Sequence, residues 1–245
     1  MIVAAALCPC PPLLAAELTG QADILPELRA ACGAAVASLL TAGPDVVAVV
    51  GPAETTGTWD PGGELSLASY APALRPGGRL TAGDGAGLRA ATPRLPLALG
   101  VGALLLDNAG YAGPRIVQGI AGAEPAAGCL ALGEEIAASA PRVALLAMGD
   151  GTAKRSPSAP GYLDERAAPF DESVARAVRD GDLAALAALD QGLAADLMAV
   201  GRPAWQALAG ALPGARSCAG GLQTEILYSA APLGVCYLVA TLIPR

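Results

Sequence analysis

Short apolar runs alternate with segments of helical spacing along the chain. Ile2–Leu7 is an unbroken apolar run, the pattern of a strand buried on both faces. From Pro26 to Leu40, apolar residues recur every three or four positions (Leu28, Ala31, Cys32, Ala35, Val36, Leu39, Leu40). With a proline in its first turn, this stretch predicts a helix. "DVVAVVGP", Asp45 to Pro52, predicts a second buried strand, closed by Gly-Pro. Residues 55–93 are rich in Gly, Pro and Thr and predict an irregular excursion with short strands.

Leu95 to Ala109 reads as a helix that is apolar nearly all round, and hence central. "RIVQGI" predicts a strand, Ala126–Ala138 a helix, and "RVALLAMGDG", Arg142 to Gly151, a buried strand ending in a polar turn. The loop "TAKRSPSAPGYLDERAAPFD" follows, then helices near Glu172–Arg179, Leu183–Leu189, Leu193–Val200 and Ala204–Leu212. "TEILYSAAPLGVCYLVATL" predicts two strands around Ala-Pro. Such alternation implies an α/β fold: a central, mostly parallel or mixed sheet with helices on both faces, formed by one domain over residues 1–245.

Composition narrows the function classes. A hydrophobic fraction of 53% against 15% charged residues is enough for a large core. The net charge of −7 and the lack of any basic run argue against nucleic acid as a partner. The longest apolar stretch, Leu95 to Leu106, is too short to span a bilayer as a helix, and no signal peptide precedes Ile2, so a cytoplasmic protein without a membrane partner is expected. There the six cysteines (Cys8, Cys10, Cys32, Cys129, Cys218, Cys236) are expected to be thiols; no CxxC pair or zinc-finger spacing occurs. A small-molecule ligand and assembly as a homo-oligomer are the expected partnerships.

In a parallel sheet the ligand crevice lies beyond the carboxyl ends of the strands. Three such ends carry polar groups: Cys8–Pro12, Gly51–Thr55 and Met148–Thr152. If those strands are neighbours, Cys8, Cys10, Glu54, Thr55, Asp150 and Thr152 converge. In Cys8-Pro9-Cys10 an extended backbone puts both sulfurs on one side, where they could hold a soft metal or simply fill a core. Glu54 can bind a metal, act as a base or cap a turn. Asp150, between Gly149 and Gly151, can act in catalysis or satisfy turn amides. Lys154, the only lysine, and Arg155 stand just beyond it and can receive an anion or lie in a solvated loop. The scarce aromatics Trp59, Tyr162 and Trp205 are candidates for a pocket wall or for packing. With no histidine, Ser-His-Asp and Cys-His triads and histidine-ligated metal centres are excluded for this chain alone. "GDGAGLRA", Gly83 to Ala90, is glycine-rich but matches no full nucleotide fingerprint.

Four segments in order resemble the LigB-type class III extradiol dioxygenases and their Memo-like relatives. "AALCPCPPLL" resembles the opening strand and its Pro-His-Pro-Pro-like turn. "DVVAVVGPAE" resembles the strand followed by Gly-Pro-x-His, "LLAMGDGTAKRSPSAPGYLDERAAPFD" the strand leading to the catalytic histidine, and "APLGVCYLVATL" the last strand. The likeness is greatest to the stand-alone LigB-like proteins of actinobacteria. The resemblance implies a LigB-like fold and Fe(II) chemistry on catechol-like compounds. The family's first metal-binding histidine falls on Cys10, its second on Glu54, and its catalytic histidine on or near Ala153, next to Thr152. Glu225 is the nearest carboxylate in the last part of the chain.

Extradiol cleavage uses an Fe(II) site of two imidazoles and a carboxylate, so ordinary ring opening is not expected here. The cofactor is left open between a non-haem metal ion and none. Two functions follow. One is an altered enzyme with Cys10 and Glu54 as metal ligands and Asp150, Thr152 and Lys154 as catalytic groups, acting on a small aromatic or carbonyl compound. The other is a pseudoenzyme that keeps the fold as a binding or scaffold subunit.

Overall fold

The computed structural model describes residues 1–19, 24–67, 70, 93–212 and 221–245. Its centre is a seven-stranded mixed sheet. In chain order the strands are β1 (Ile2–Cys8), β2 (Val46–Ala53), β3 (Gly57–Trp59), β6 (Arg115–Ala121), β7 (Val143–Met148), β8 (Leu222–Ala230) and β9 (Tyr237–Pro244). Two short strands, β4 (Glu64–Leu65) and β5 (Arg94–Leu95), pair separately. The order across the sheet is β3-β6-β2-β7-β1-β9-β8. The four inner strands β6, β2, β7 and β1 run parallel; β3 on one edge and the β9-β8 hairpin on the other are antiparallel.

The helices are α1 (Ala16–Thr19), α2 (Pro26–Thr41), α3 (Leu97–Asn108), α4 (Ala126–Ala138), α5 (Ala167–Asp180), α6 (Leu183–Ala187), α7 (Gln191–Asp196) and α8 (Arg202–Ala211). Because side chains alternate along a strand, each inner strand feeds two cores. Leu7, Val50, Leu145 and Leu242 pack with the residues of α4, α5 and α8. Ala6, Val49, Leu146 and Val239 pack on the other face with those of α2 and α3. Both faces of the inner strands are dry, which is why β2 and β7 read as continuous apolar runs.

Helices α4 and α8 approach backbone to backbone. A Cβ on Gly133 would lie 1.9 Å from the Ala207 carbonyl oxygen, and one on Gly210 would lie 2.2 Å from that of Leu130. The buried guanidinium of Arg202, at the start of α8, donates to Gln206 Oε1 (2.6 Å) and to the carbonyls of Gly122 (2.8 Å) and Glu124 (2.9 Å). It thereby ties α8 to the segment that follows β6.

The α/β expectation of a mixed sheet covered on both faces is met. The boundaries differ where local chemistry overrides periodicity. Leu95 belongs to β5, and α3 begins only after Pro96. The helix expected over Leu193–Val200 starts earlier, at a cap in which Asp190 accepts from the Leu193 amide (2.6 Å), and stops before Met198, whose φ is +56°. The glycine-rich "GDGAGLRA" and Cys218 lie outside the described residues. Among the described residues, no helix is long and apolar enough to cross a membrane.

Candidate functional site

The carboxyl ends of β1 and β7 are side by side, with Cys8 opposite Met148. Beyond them the two chains stay joined. The Gly149 amide donates to the Cys8 carbonyl (3.0 Å), and the Cys10 amide donates to Asp150 Oδ1 (2.7 Å). Asp150 therefore satisfies the backbone of another strand end rather than that of its own turn. Pro11 and Pro12 then lead into a single 3-10 turn, Pro12–Leu14, which carries the chain away from the site.

Burial and the Asp150 charge push the Cys10 thiol well up. Asp150 is half-buried. Burial raises its carboxyl to about 6, against the opposing pull of the Cys10 amide and thiol, which favour the anion. The antiparallel β9 begins beside this point, and its first residue, Tyr237, is buried. Burial, then Asp150, Cys10 and Tyr228, all hold the Tyr237 phenol protonated. The exposed Tyr70 feels the same pair, its phenol raised by burial and then by Cys10 and Asp150. A carboxyl that titrates near neutrality, a thiol and two protonated phenols thus gather at one end of the sheet.

The turn that presents Asp150 demands glycine. A Cβ on Gly149 would lie 2.3 Å from Gly201 Cα, and one on Gly201 would lie 2.3 Å from the Trp205 ring. The Gly201 amide also donates to the Asp150 carbonyl (2.9 Å). Trp205 accordingly packs as core beneath this turn, 1% exposed, and is not a pocket wall.

Just beyond, the chain crosses to the other face. Asp171, on α5, accepts the Thr152 amide at Oδ1 (2.9 Å). Its Oδ2 accepts the Thr152 hydroxyl (2.7 Å) and Arg155 Nη1 (2.9 Å). Thr152 is fully buried, so it anchors the loop. Lys154 is half-buried, packs its side chain against Gly161, and exerts its charge on Asp164. Ala153, where the resemblance puts the catalytic histidine, is buried and donates its amide to the Leu197 carbonyl (3.1 Å).

Of the three strand ends expected to converge, those of β1 and β7 meet through Cys10 and Asp150. The third diverges in its side chains. β2 stays paired with β6 through Ala53, and Glu54 and Thr55 emerge exposed. Glu54 lines a cleft with Trp59, Arg94 and Leu97. Cys8 does not act with Cys10; its thiol hydrogen-bonds that of Cys32. Glu225 is exposed in mid-strand, opposite Thr241, and Tyr162 is exposed with φ of +61°. Among the described residues, no group of three or more His, Cys, Asp or Glu is placed to hold a metal ion. Sequence reasoning missed Tyr237 and Tyr70. The apolar run of β9 marked Tyr237 only as core, and Tyr70 carries no local signal.

No family model matches the chain, and no curated protein matches it. Among solved structures, the chain is similar to uncharacterized protein JW3007 from Escherichia coli K12, with a TM-score of 0.53 and 18% identity. The match covers 98% of this chain and 99% of that one. At this identity the likeness is one of fold, and it extends the α/β architecture over nearly the whole length of both chains.

Proposed function

We propose that the chain is a LigB-like, extradiol-dioxygenase-related protein whose metal centre has given way to a metal-free proton-transfer site for a small aromatic or carbonyl compound. The observation that carries this reading is the contact of the Cys10 amide with Asp150 Oδ1 at 2.7 Å. It joins the two strand ends that, by resemblance, hold the family's first metal ligand and precede its catalytic histidine.

The donor set does not fit the Fe(II) centre that the resemblance implies. The chain has no imidazole, the Cys10 thiol is held protonated, and no trio of donors is assembled among the described residues. A raised thiol also argues against a Cys10 nucleophile. Asp150 is suited to moving protons, because a carboxyl near 6 exists in both forms around neutral pH. In this reading its carboxyl takes a proton from, or returns it to, a carbon or oxygen next to a bound carbonyl. Tyr237, held protonated, supplies a hydrogen-bond donor to the oxygen where charge develops. Tyr70 offers an exposed ring at the mouth. Thr152 and Lys154, assigned catalytic roles from sequence, act here as an anchor and a loop contact.

The test is tautomerisation of phenylpyruvate, read by loss of enol absorbance, with catechol binding measured in parallel by thermal shift. The expected result is acceleration that rises as Asp150 ionises, and that falls about 10²- to 10⁴-fold in Asp150→Asn while the variant stays folded. Saturable binding of either probe without acceleration would favour a pseudoenzyme that binds in the same crevice. Stoichiometric iron that is lost in Cys10→Ala would overturn the metal-free reading.

A further inference from the structure

At the β8 edge of the sheet, a second cleft of about 380 Å³ opens between α5 and the end of β8. Three arginines line it: Arg155, Arg176 and Arg179. We infer that this cleft is a binding site for a small, doubly charged anion, either a phosphate group or a pair of carboxylates. The inference does not depend on the proton-transfer reading of Asp150.

The cleft is built around Arg155. Asp171 is almost fully buried, and its two oxygens are occupied by the Thr152 amide, the Thr152 hydroxyl and one Arg155 nitrogen. The guanidinium is therefore fixed at one nitrogen. It is still 27% exposed, which leaves other N–H donors of its planar fork facing the cleft. Arg176 and Arg179 stand three residues apart on α5, so they project from the same side of the helix. Like charges at that spacing repel, and neither arginine pairs with a carboxylate among the described residues.

Glu172 is the free acidic group at the rim, since Asp171 already neutralises Arg155. Three guanidiniums converging in a chain of net charge −7 are a local reversal of sign. Their geometry suits a ligand with several acceptor oxygens, because guanidinium binds phosphate and carboxylate through paired N–H donors. The volume is at the lower end for small-molecule sites, which excludes a large polyanion from the cleft itself.

The test is isothermal titration of the full chain with inorganic phosphate and, separately, with succinate, at matched low ionic strength. Arg176→Gln/Arg179→Gln serves as the main variant, because both side chains are exposed and the fold does not depend on them. Saturable one-to-one binding that weakens at least tenfold in the double variant, and persists against an equal ionic strength of chloride, is the expected result. Binding of phosphate alone would assign a phosphate-bearing ligand, and of succinate alone a dicarboxylate; binding of both would assign a site that reads charge. Equal affinity in wild type and double variant, or no saturable heat with either probe, would overturn the inference.

Discussion

Asp150 and Asp171 are two carboxylates tied to one loop, and they differ in how fully they are satisfied. Asp171 accepts three hydrogen bonds, one of them from a guanidinium, and lies almost wholly out of solvent. Asp150 accepts the Cys10 amide, lies beside the Cys10 thiol, and keeps part of its surface open. Among the described residues, no cation acts on Asp150. The saturated carboxylate holds the loop in place. The other keeps part of its surface open and is pushed toward its neutral form by burial. Counting donors therefore separates an anchoring carboxylate, within α5, from a less saturated one just after β7.

The harshest way to break this contrast is Asp171→Ala. It removes three hydrogen bonds and leaves Arg155 and the Thr152 hydroxyl uncompensated, so unfolding in urea is expected to show a loss of about 3–5 kcal/mol. A loss below about 1 kcal/mol would mean that Asp171 is not the anchor.

Asp150→Asn tests the other side through pH. The Asp150 carboxyl titrates near 6 in the folded chain, above the ordinary aspartate value of 3.8. Between those values the folded state holds the extra proton. Stability should fall as pH rises from about 4 to about 6 and then stay lower, by about 2 kcal/mol given partial solvent contact. The asparagine variant should lack this component, so a wild-type-like slope in the variant would assign it to another group.

Thr152→Val is the finer probe of the anchor. It keeps the amide bond to Asp171 Oδ1 and deletes only the hydroxyl bond, for an expected cost of about 1–2 kcal/mol. The smallest effect is on Cys10 itself. Mass-spectrometric mapping of iodoacetamide labelling on the native protein should find Cys10 reacting at least about tenfold slower than glutathione at pH 8, because its thiol is buried and raised. Rapid labelling would reverse its role from passive neighbour to nucleophile.

Much of the fold was legible in the chain. The runs in β1, β2 and β7 and the spacing of α2 and α4 are local signals, and their boundaries agree closely with the structure. Of the candidate site, the meeting of two strand ends was legible and that of the third was not. Cys10 and Asp150 stood out because each follows an apolar strand at a proline or glycine corner. Glu54 stood out by the same rule, and the structure carries it into solvent, because β2 continues alongside β6 for longer than the motif suggested. Thr152 looked reactive by position and is an anchor, because its partner Asp171 arrives from α5.

Local order came from the sequence itself: strand or helix, apolar or wet, and the absence of any imidazole chemistry. These follow from periodicity and composition, which act over a few neighbouring residues. Tertiary structure alone decided which ends meet. Strand order placed β7 between β2 and β1, antiparallel β9 brought Tyr237 to the carboxyl end of β1, and α5 brought Asp171 under Thr152. Hydrogen-bond saturation, desolvation and the convergence of arginines depend on groups far apart in the chain, so they exist only once the chain has folded.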